Sequence, residues 1–224
     1  MADEEVKDES PILIKGALPL VDLHAQLENL ADDTSVQLEV DEPFHGFGAG
    51  LDQALTIAIA GNVGDFAFLL SERAHYDVAG NAGRCCGHSF ASGSVLVHGS
   101  AGDCLAAFAT GGFIAVHNNA ADRCGMELAG ADVFVRRSVG DDAGYRMRDG
   151  ALVLGNGAGE NVGREMTGGL IFIRGDVKST APHVRPARMK DAEALRLSLF
   201  LARAGIKGGG ADFKVYRPNP LSRP

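Results

Sequence analysis

The amino-acid sequence predicts an all-β protein, a parallel β-helix of seven to eight 19-residue coils with short flanking helices. A tetrapeptide rich in glycine and asparagine returns seven times at intervals of 19 residues, without an insertion. Two apolar residues, separated by one position, precede each copy. Glycine accounts for 30 of the 224 residues, nearly twice the usual share of roughly 7%. A fixed period of this length is typical of solenoids, in which each repeat packs on its neighbours.

Each tetrapeptide predicts a tight turn at the same point of its coil. The copies begin at positions 61, 80, 99, 118, 137, 156 and 175. Because glycine and asparagine tolerate positive φ, we expect them to let the chain change direction there. The copy at 118–121 lacks glycine and the last copy ends at Lys178, so we expect the middle coil to bend differently. The predicted turn glycines are Gly61, Gly64, Gly80, Gly83, Gly99, Gly102, Gly140, Gly159 and Gly175.

The apolar pairs predict a short strand before every turn. They stand four and two positions ahead of the tetrapeptide, and a spacing of two places both side chains on one face of a strand. We expect this face to point into the rod. An eighth, degenerate coil is predicted upstream, with Leu38 and Val40 in the same phase. The seven clear pairs are Ile57 and Ile59, Tyr76 and Val78, Val95 and Val97, Ile114 and Val116, Val133 and Val135, Leu152 and Leu154, and Ile171 and Ile173.

The flanks of the repeats are predicted to close the ends of the solenoid, which would otherwise expose unpaired backbone. We expect an N-terminal segment with a capping helix over 1–36, the β-helix over 37–182, and a C-terminal helix with an extended arm over 183–224. The capping helix is predicted from four leucines at helical spacing. They are Leu20, Leu23, Leu27 and Leu30.

The C-terminal helix is predicted over 191–204. Leu195, Leu199 and Ala202 align on one face, and Gly205 follows as a stop signal. The tail at 213–218 is predicted to be an extended arm that packs on its own rod or on a neighbour.

Composition excludes several classes of partner. The net charge of −8, from 21 basic and 29 acidic residues, disfavours nucleic acid and anionic membranes. The longest apolar run, near 55–60, is far shorter than the roughly 20 residues of a membrane-spanning helix. The acidic N-terminus carries no signal-peptide pattern, so we expect a cytoplasmic protein.

Equivalent positions of successive coils stack into columns along the rod. The acidic column would suit a cation or a basic partner, although a solvated edge is the favoured interpretation. The basic column contains a histidine pair, but no carboxylate or cysteine shares that column. Solvated or salt-bridged histidines are therefore favoured, and no metal site is predicted. The acidic column is Asp65, Arg84, Asp103, Asp122, Asp141 and Glu160, and the basic column is His98, His117, Arg136 and Arg174.

An apolar stripe occupies the outward position of five strands, where the side chains should meet water. Such a stripe indicates either an interface or cover by the protein's own helices. We favour an interface with a partner subunit, with a homo-oligomer as a further alternative. The stripe consists of Leu96, Ala115, Phe134, Val153 and Phe172, and the interface candidates are Leu96, Phe134, Val153 and Phe172.

No set of catalytic residues is predicted. The segment 87–91 resembles the G-x-S-x-G motif of esterases around Ser89, but it ends in alanine and lies inside a coil. The glycines at 46–50 do not open a helix, so a dinucleotide loop is not predicted. Cys85 and Cys104 share a column within disulfide reach, and no C-x-x-C pair is present. Reduced thiols are favoured over a disulfide.

The repeated turns at 61–64, 80–83, 99–102 and 156–159 resemble those of the GXGXG-motif family of right-handed β-helices. The resemblance covers roughly residues 38–180. The family includes the C-terminal domain of the glutamate synthase large subunit and stand-alone subunits of glutamate-synthase-like complexes such as N-methylglutamate synthase. It also includes one of the subunits of formylmethanofuran dehydrogenase.

The resemblance implies a non-catalytic scaffold subunit. In glutamate synthase, this domain braces a glutaminase domain against an FMN-containing synthase domain, between which ammonia is channelled. We therefore expect glutaminase-like and FMN synthase-like partner subunits, with FMN and an iron–sulfur cluster in a partner and no cofactor or metal on this chain. The first alternative is a scaffold in a formylmethanofuran dehydrogenase or formyltransferase/hydrolase complex. The second is an esterase that uses Ser89.

Overall fold

The computed structural model describes residues 10–15, 18–206 and 210–219. Within these ranges the chain forms eleven strands, two α-helices and a 3-10 turn at Gly210–Asp212. The helices are α1 (Leu20–Glu28) and α2 (Asp191–Arg203). The strands are β1 (Ile12–Lys15), β2 (Ser35–Glu39), β3 (Thr56–Ala60), β4 (His75–Val78), β5 (Ser94–Val97), β6 (Phe113–Val116), β7 (Ala129–Val135), β8 (Asp149–Leu154), β9 (Leu170–Ile173), β10 (Val184–Ala187) and β11 (Lys214–Pro218).

Strands β1 to β9 pair in parallel and in chain order. From β3 onward the register advances by 19 residues per coil, as where Ile57 pairs with Tyr76 and Tyr76 pairs with Val95. Isolated parallel β-bridges also join the third residues of successive turns, such as Val63, Ala82 and Ala101. The predicted fold class is confirmed: the chain is a parallel β-solenoid of about seven turns with two short helices.

The first coil departs from the predicted phase. Val36 pairs with Ile57 and Leu38 pairs with Ile59, which is an advance of 21 residues rather than 19. Val36 and Leu38 are therefore the buried inward pair, while Val40 lies beyond the end of β2 and is half-buried. The prediction that Leu38 and Val40 form the inward pair is wrong by two positions, because the first coil is two residues longer.

Most of the turn glycines are required by close approach between coils and not by their backbone conformation. Of the nine, only Gly61 and Gly175 have a positive φ. A Cβ on Gly83 would lie 2.5 Å from the backbone nitrogen of Asp65, and no L side chain fits at that distance. The prediction based on positive φ is therefore wrong for the other seven glycines, and the reason is the tight stacking of the coils. The turn at 118–121 keeps the same bridges as its neighbours, through Ala120, so the expected change of bend is also absent.

Positive φ values occur instead in the segment after each turn, which we call the left-handed segment (65–70 and its equivalents). Every second residue there has a φ near +60°, as at Phe66, Phe68 and Leu70. The N–H groups of Phe66 and Leu70 bond to the next coil, and the N–H group of Phe68 bonds to the preceding coil. The pattern returns in every coil from 46–50 to 161–165. The sequence signal was the glycines at 46, 48 and 50, which occupy these positions in the first coil.

The interior of the rod is one continuous apolar core. The inward strand residues predicted from the repeat are buried in it, from Ile57 to Ile173. Near the N-terminal end, the rings of Phe68 and Tyr76 stack with centroids 4.0 Å apart. The Tyr76 hydroxyl is 2.7 Å from the hydroxyl of Ser71, a fully buried polar side chain. This hydrogen bond satisfies both groups inside the core.

Helix α1 packs against the first coil. Leu23 and Leu27 are buried in the main core, and His24 Nε2 accepts a hydrogen bond of 2.8 Å from the backbone N–H of Gly48. At the other end, Val184 and Tyr216 join the core beside the last coil. The solenoid core is therefore covered by chain from both flanks.

Close approach and positive φ predict different costs for alanine at different glycines. Gly83→Ala places its Cβ against the backbone of the preceding coil, so we expect a loss of about 2–3 kcal/mol of unfolding free energy. Gly46→Ala meets nothing within 4 Å and suffers only from its φ of +71°, so we expect about 1 kcal/mol. Urea denaturation followed by circular dichroism measures both. Equal losses, or a larger loss for Gly46→Ala, would contradict the close-approach explanation.

Candidate functional site

Helix α2 covers the apolar stripe on the outer face of β6 to β9. Phe134, Val153 and Phe172 are buried in a second cluster outside the main core, together with Leu197 of α2. Leu96 is half-buried at the margin of this cluster. The expected partner interface is therefore wrong at Phe134, Val153 and Phe172, which are buried. Cover by the protein's own helix, the alternative interpretation, describes the stripe, because α2 and the arm fill the surface that a partner would need.

Helix α2 is apolar on two sides, and it buries the side opposite to the leucines that align in the sequence. Leu197, Phe200 and Leu201 face the sheet and are buried. Leu195 and Leu199, which align on the opposite face, are 63% and 64% exposed. The sequence of α2 has two apolar faces, and packing against the sheet determines which of them is buried.

Charged groups fix the position of α2 on the sheet. Arg196 donates a hydrogen bond of 2.7 Å to the carboxylate of Asp132, which precedes the inward residues of β7. At the start of the helix, Glu193 accepts a hydrogen bond of 2.8 Å from the backbone N–H of Lys190 and pairs with Arg217 at 2.9 Å. The helix is therefore anchored at its first turn and again one turn later.

The C-terminal arm packs on its own rod. Its strand β11 lies between β9 and β10 and is antiparallel to both. Phe213 and Val215 are buried in the same cluster as α2, and the guanidinium of Arg174 lies 5.4 Å from the centre of the Phe213 ring. The arm was predicted to pack either on its own rod or on a neighbouring molecule, and in the structure it packs on its own rod.

The acidic column is a ladder of hydrogen bonds between coils. The Asp122 carboxylate accepts the backbone N–H of Asp141 at 2.8 Å, and Asp141 does the same for Glu160 at 2.8 Å. Asp65 and Asp103 make the equivalent bonds to the residues 19 positions later. A parallel ladder runs through the turns, where Asn62, Asn81 and Asn119 accept the next coil's N–H groups. Sequence analysis identified the acidic column but not this role.

The ladder and its surroundings neutralise part of the acidic charge. Arg84 donates to the Asp65 carboxylate through its guanidinium at 2.8 Å and through its backbone N–H at 2.8 Å. The guanidinium hydrogen bond, followed by that from the backbone, lowers the pKa of Asp65 below its ordinary value. Among the residues that the structure describes, no group of three or more His, Cys, Asp or Glu side chains is placed to hold a metal ion.

One histidine of the basic column, His98, contacts a carboxylate that lies outside that column. His98 Nε2 lies 2.8 Å from the carboxylate of Asp77, which is on the preceding strand. The rings of His98 and His117 are edge to face, with centroids 5.1 Å apart. Burial, followed by the charge of His98, lowers the pKa of His117. This arrangement is the salt-bridged one that the sequence favoured for His98.

An apolar surface patch lies on the left-handed segments of three consecutive coils. We call Phe66, Leu70, His88 and Phe108 the aromatic patch. The imidazole of His88 lies between the rings of Phe66 and Phe108, with centroid distances of 6.4 and 5.1 Å. Phe66 is 45% exposed and Leu70 is 59% exposed. The sequence pattern does not indicate this patch, because its residue types do not repeat: Cys85 occupies the position of Phe66 in the next coil, and Ser89 that of Leu70.

Ser89 lies beside the aromatic patch and contacts only part of a hydrolytic triad. Its hydroxyl is 2.9 Å from Nδ1 of the adjacent His88. Burial lowers the pKa of His88, which favours its neutral form. Within the described ranges, no carboxylate hydrogen-bonds to His88 to orient it, as the third member of a triad would. The φ of +55° at Ser89 belongs to the backbone pattern of every coil and does not distinguish it as a nucleophile.

The four cysteines are free thiols. Cys86 and Cys124 are fully buried in the core, and burial raises the pKa of each to about 12. Cys85 and Cys104 are half-exposed on neighbouring left-handed segments, and burial also raises the pKa of Cys85. The thiols of Cys85 and Cys104 are hydrogen-bonded to each other, and among the described residues no group of three or more His, Cys, Asp or Glu side chains around them is placed to hold a metal ion.

These features define a parallel solenoid with covered ends, ladders of polar side chains between its coils, and a partly exposed aromatic patch. A family model described as the GXGXG motif matches residues 20–196. The match spans well over half of the chain, and the protein therefore belongs to the GXGXG motif family, whose domain is found in glutamate-synthase-like proteins. No curated protein sequence matches this chain. Among the described residues, neither helix has the length and apolar character needed to cross a membrane.

The hydrogen bonds of the acidic column predict that its side chains stabilise the fold through an acceptor oxygen and not through their charge. Asp122→Ala removes the acceptor for the Asp141 N–H, so we expect a loss of about 1 kcal/mol of unfolding free energy. The matched variant Asp122→Asn keeps an acceptor and relieves repulsion from neighbouring acids, so its stability should equal or exceed that of the wild type. Urea titrations of the three proteins measure the difference. If asparagine is as harmful as alanine, the ladder is not what stabilises this column.

Proposed function

We propose that this protein is a non-catalytic scaffold subunit of a glutamate-synthase-like amidotransferase/oxidoreductase complex. The observation that carries the proposal is the GXGXG match over residues 20–196. In this role the chain holds a glutaminase-like subunit and an FMN synthase-like subunit in fixed relative positions.

The construction of the rod supports a bracing role. Its backbone groups bond from coil to coil over about seven turns, and its core needs no partner to be filled. α2 and the arm already cover the apolar stripe that would otherwise require one. A body of this kind presents its surface at fixed spacings, as a brace between two enzymes must.

The chemistry of the complex is assigned to the partners. FMN and an iron–sulfur cluster belong to the synthase-like subunit in this proposal. The alternative complex is of the formylmethanofuran dehydrogenase or formyltransferase/hydrolase type, and its partners would be metallohydrolase-like and would lack a glutaminase.

The aromatic patch is the contact surface that the proposal assigns to a partner. Its residues Phe66 and Leu70 are exposed, His88 and Phe108 are half-buried, and the backbone beneath them is bonded to both neighbouring coils. Large exposed apolar side chains grouped in this way are typical of interaction sites. Asparagine is a suitable replacement at Phe66 and Leu70, because it is polar and tolerates their positive φ.

Affinity purification of the tagged protein from its own cell, at low salt, tests this proposal. We expect glutaminase-like and flavin-containing subunits in the eluate, identified by mass spectrometry and by a flavin absorbance band. Phe66→Asn/Leu70→Asn should lose these partners by at least tenfold while its circular dichroism and urea midpoint stay close to wild type. Val21→Asn, at an exposed position of α1, is the matched control and should retain them.

Two outcomes would contradict the proposed complex, and a third would contradict only the contact surface assigned to it. Purification of a colourless protein without partners would refute the scaffold role. Metallohydrolase-like partners would favour the alternative complex. Full retention of partners by Phe66→Asn/Leu70→Asn would leave the complex intact but exclude the aromatic patch as its contact.

A further inference from the structure

Helix α2 leaves an apolar face without a partner inside the chain. Leu195 and Leu199 lie on the side of the helix opposite Leu197, Phe200 and Leu201, and they are 63% and 64% exposed. Ala192 and Ala202 are also exposed and lie on the same side as these two leucines. The helix therefore packs one apolar face on the sheet and presents another outward.

The outward face has the spacing of a helix–helix seam. Positions 192, 195, 199 and 202 are separated by three, four and three residues, which is the a/d pattern of coiled coils. The residue order along the seam is alanine, leucine, leucine, alanine. Read from either end of the helix, this order is the same.

A seam that reads the same in both directions fits a second copy of itself. We propose that the outward face of α2 is a self-association surface, on which a second copy of this chain packs its α2 in the antiparallel direction. Around a two-fold axis level with position 197, Leu195 contacts Leu199 of the second copy and Ala192 lies opposite Ala202. Large side chains then fill the centre and small ones let the helix ends approach, as an isologous interface requires.

The charges at the two ends of α2 agree with this direction. Asp191 stands in the first turn and Arg203 in the last turn. In an antiparallel pair, the acidic end of each helix lies level with the basic end of the other, and the two helix dipoles oppose each other. A parallel pair would place like charges and like dipole ends side by side.

The helix is held in place before any second copy arrives. Arg196 bonds to Asp132, and Glu193 bonds to Arg217 of the arm. The inner face is buried in the cluster on β6 to β9. Association therefore needs no rearrangement of the backbone, and little conformational entropy is lost when the second copy binds.

The size of the seam sets the expected strength. A helix of 13 residues is roughly 20 Å long, and a contact of that length buries less than the ~1,200–2,000 Å² of a standard stable interface. The dimer is therefore reversible, and its population depends on concentration. This inference does not rest on the proposed function, since it concerns only pairs of this chain.

Sedimentation velocity over a series of concentrations, from micromolar to near-millimolar, tests the association. We expect the wild-type sedimentation coefficient to rise from the monomer value towards that of a dimer. Leu195→Lys/Leu199→Lys should remain monomeric throughout, with an unchanged circular dichroism spectrum because both positions are exposed. Val21→Lys, which changes an exposed residue of α1, is the matched control and should dimerise like the wild type. A wild type that stays monomeric, or a lysine variant that still dimerises, overturns the inference.

Cysteine cross-linking tests the direction of the helices independently of affinity. In a background of Cys85→Ser/Cys104→Ser, Ala192→Cys and Ala202→Cys chains are oxidised with oxidised glutathione, separately and mixed. The antiparallel seam predicts a covalent dimer in the mixture and little with either chain alone, because two copies of position 192 lie about 15 Å apart along the seam. Efficient cross-linking of Ala192→Cys with itself would mean that the helices are parallel and would refute the antiparallel seam.

Discussion

The distance between stacked coils is the constraint on which the rest of this structure depends. Each coil must bring its backbone within hydrogen-bonding reach of the coils on both sides, at every corner and not only along the strands. Gly83 and its equivalents leave room for that approach at one corner. At the next corner, alternating left-handed residues such as Phe66 and Phe68 direct their N–H groups to the two neighbouring coils in turn. Non-glycine residues at positive φ cost energy, and these bonds offset that cost.

Polar and apolar side chains then follow the same 19-residue register. Aspartates and asparagines on the surface accept N–H groups of the next coil, so an acidic column that should repel itself becomes part of the connection. Inward residues form a single core, and the flanks cover its ends. On one outer face the sheet is apolar as well, and α2 with the arm covers it. The finished rod therefore exposes few large apolar groups among the described residues, mainly on the aromatic patch, around β1 and on the helices.

Periodicity made the fold predictable, and the missed features are those that periodicity does not encode. The 19-residue repeat indicated the strands, their inward residues and the solenoid. It did not reveal that the first coil is two residues longer, since only the pairing of Val36 with Ile57 shows it. The repeat identified the turn glycines, but the reason inferred for most of them was wrong. A close approach such as that at Gly83 and a positive φ both select glycine, so the sequence does not distinguish the two. The burial of Phe134 and the orientation of Leu195 depended on where α2 docks, which is a tertiary choice between two apolar helix faces.

In the function we propose, the residues of this chain stack coils and hold the partners in place, and the partners carry out the chemistry. The most direct test is to purify the assembled complex, with and without this chain, and to compare glutamine hydrolysis with formation of the amino product. We predict that the partners alone still hydrolyse glutamine and still reduce their flavin, while product per glutamine consumed falls sharply and recovers when the chain is added back. Unchanged coupling without the chain, or an amidotransferase activity of the isolated chain, would contradict the account.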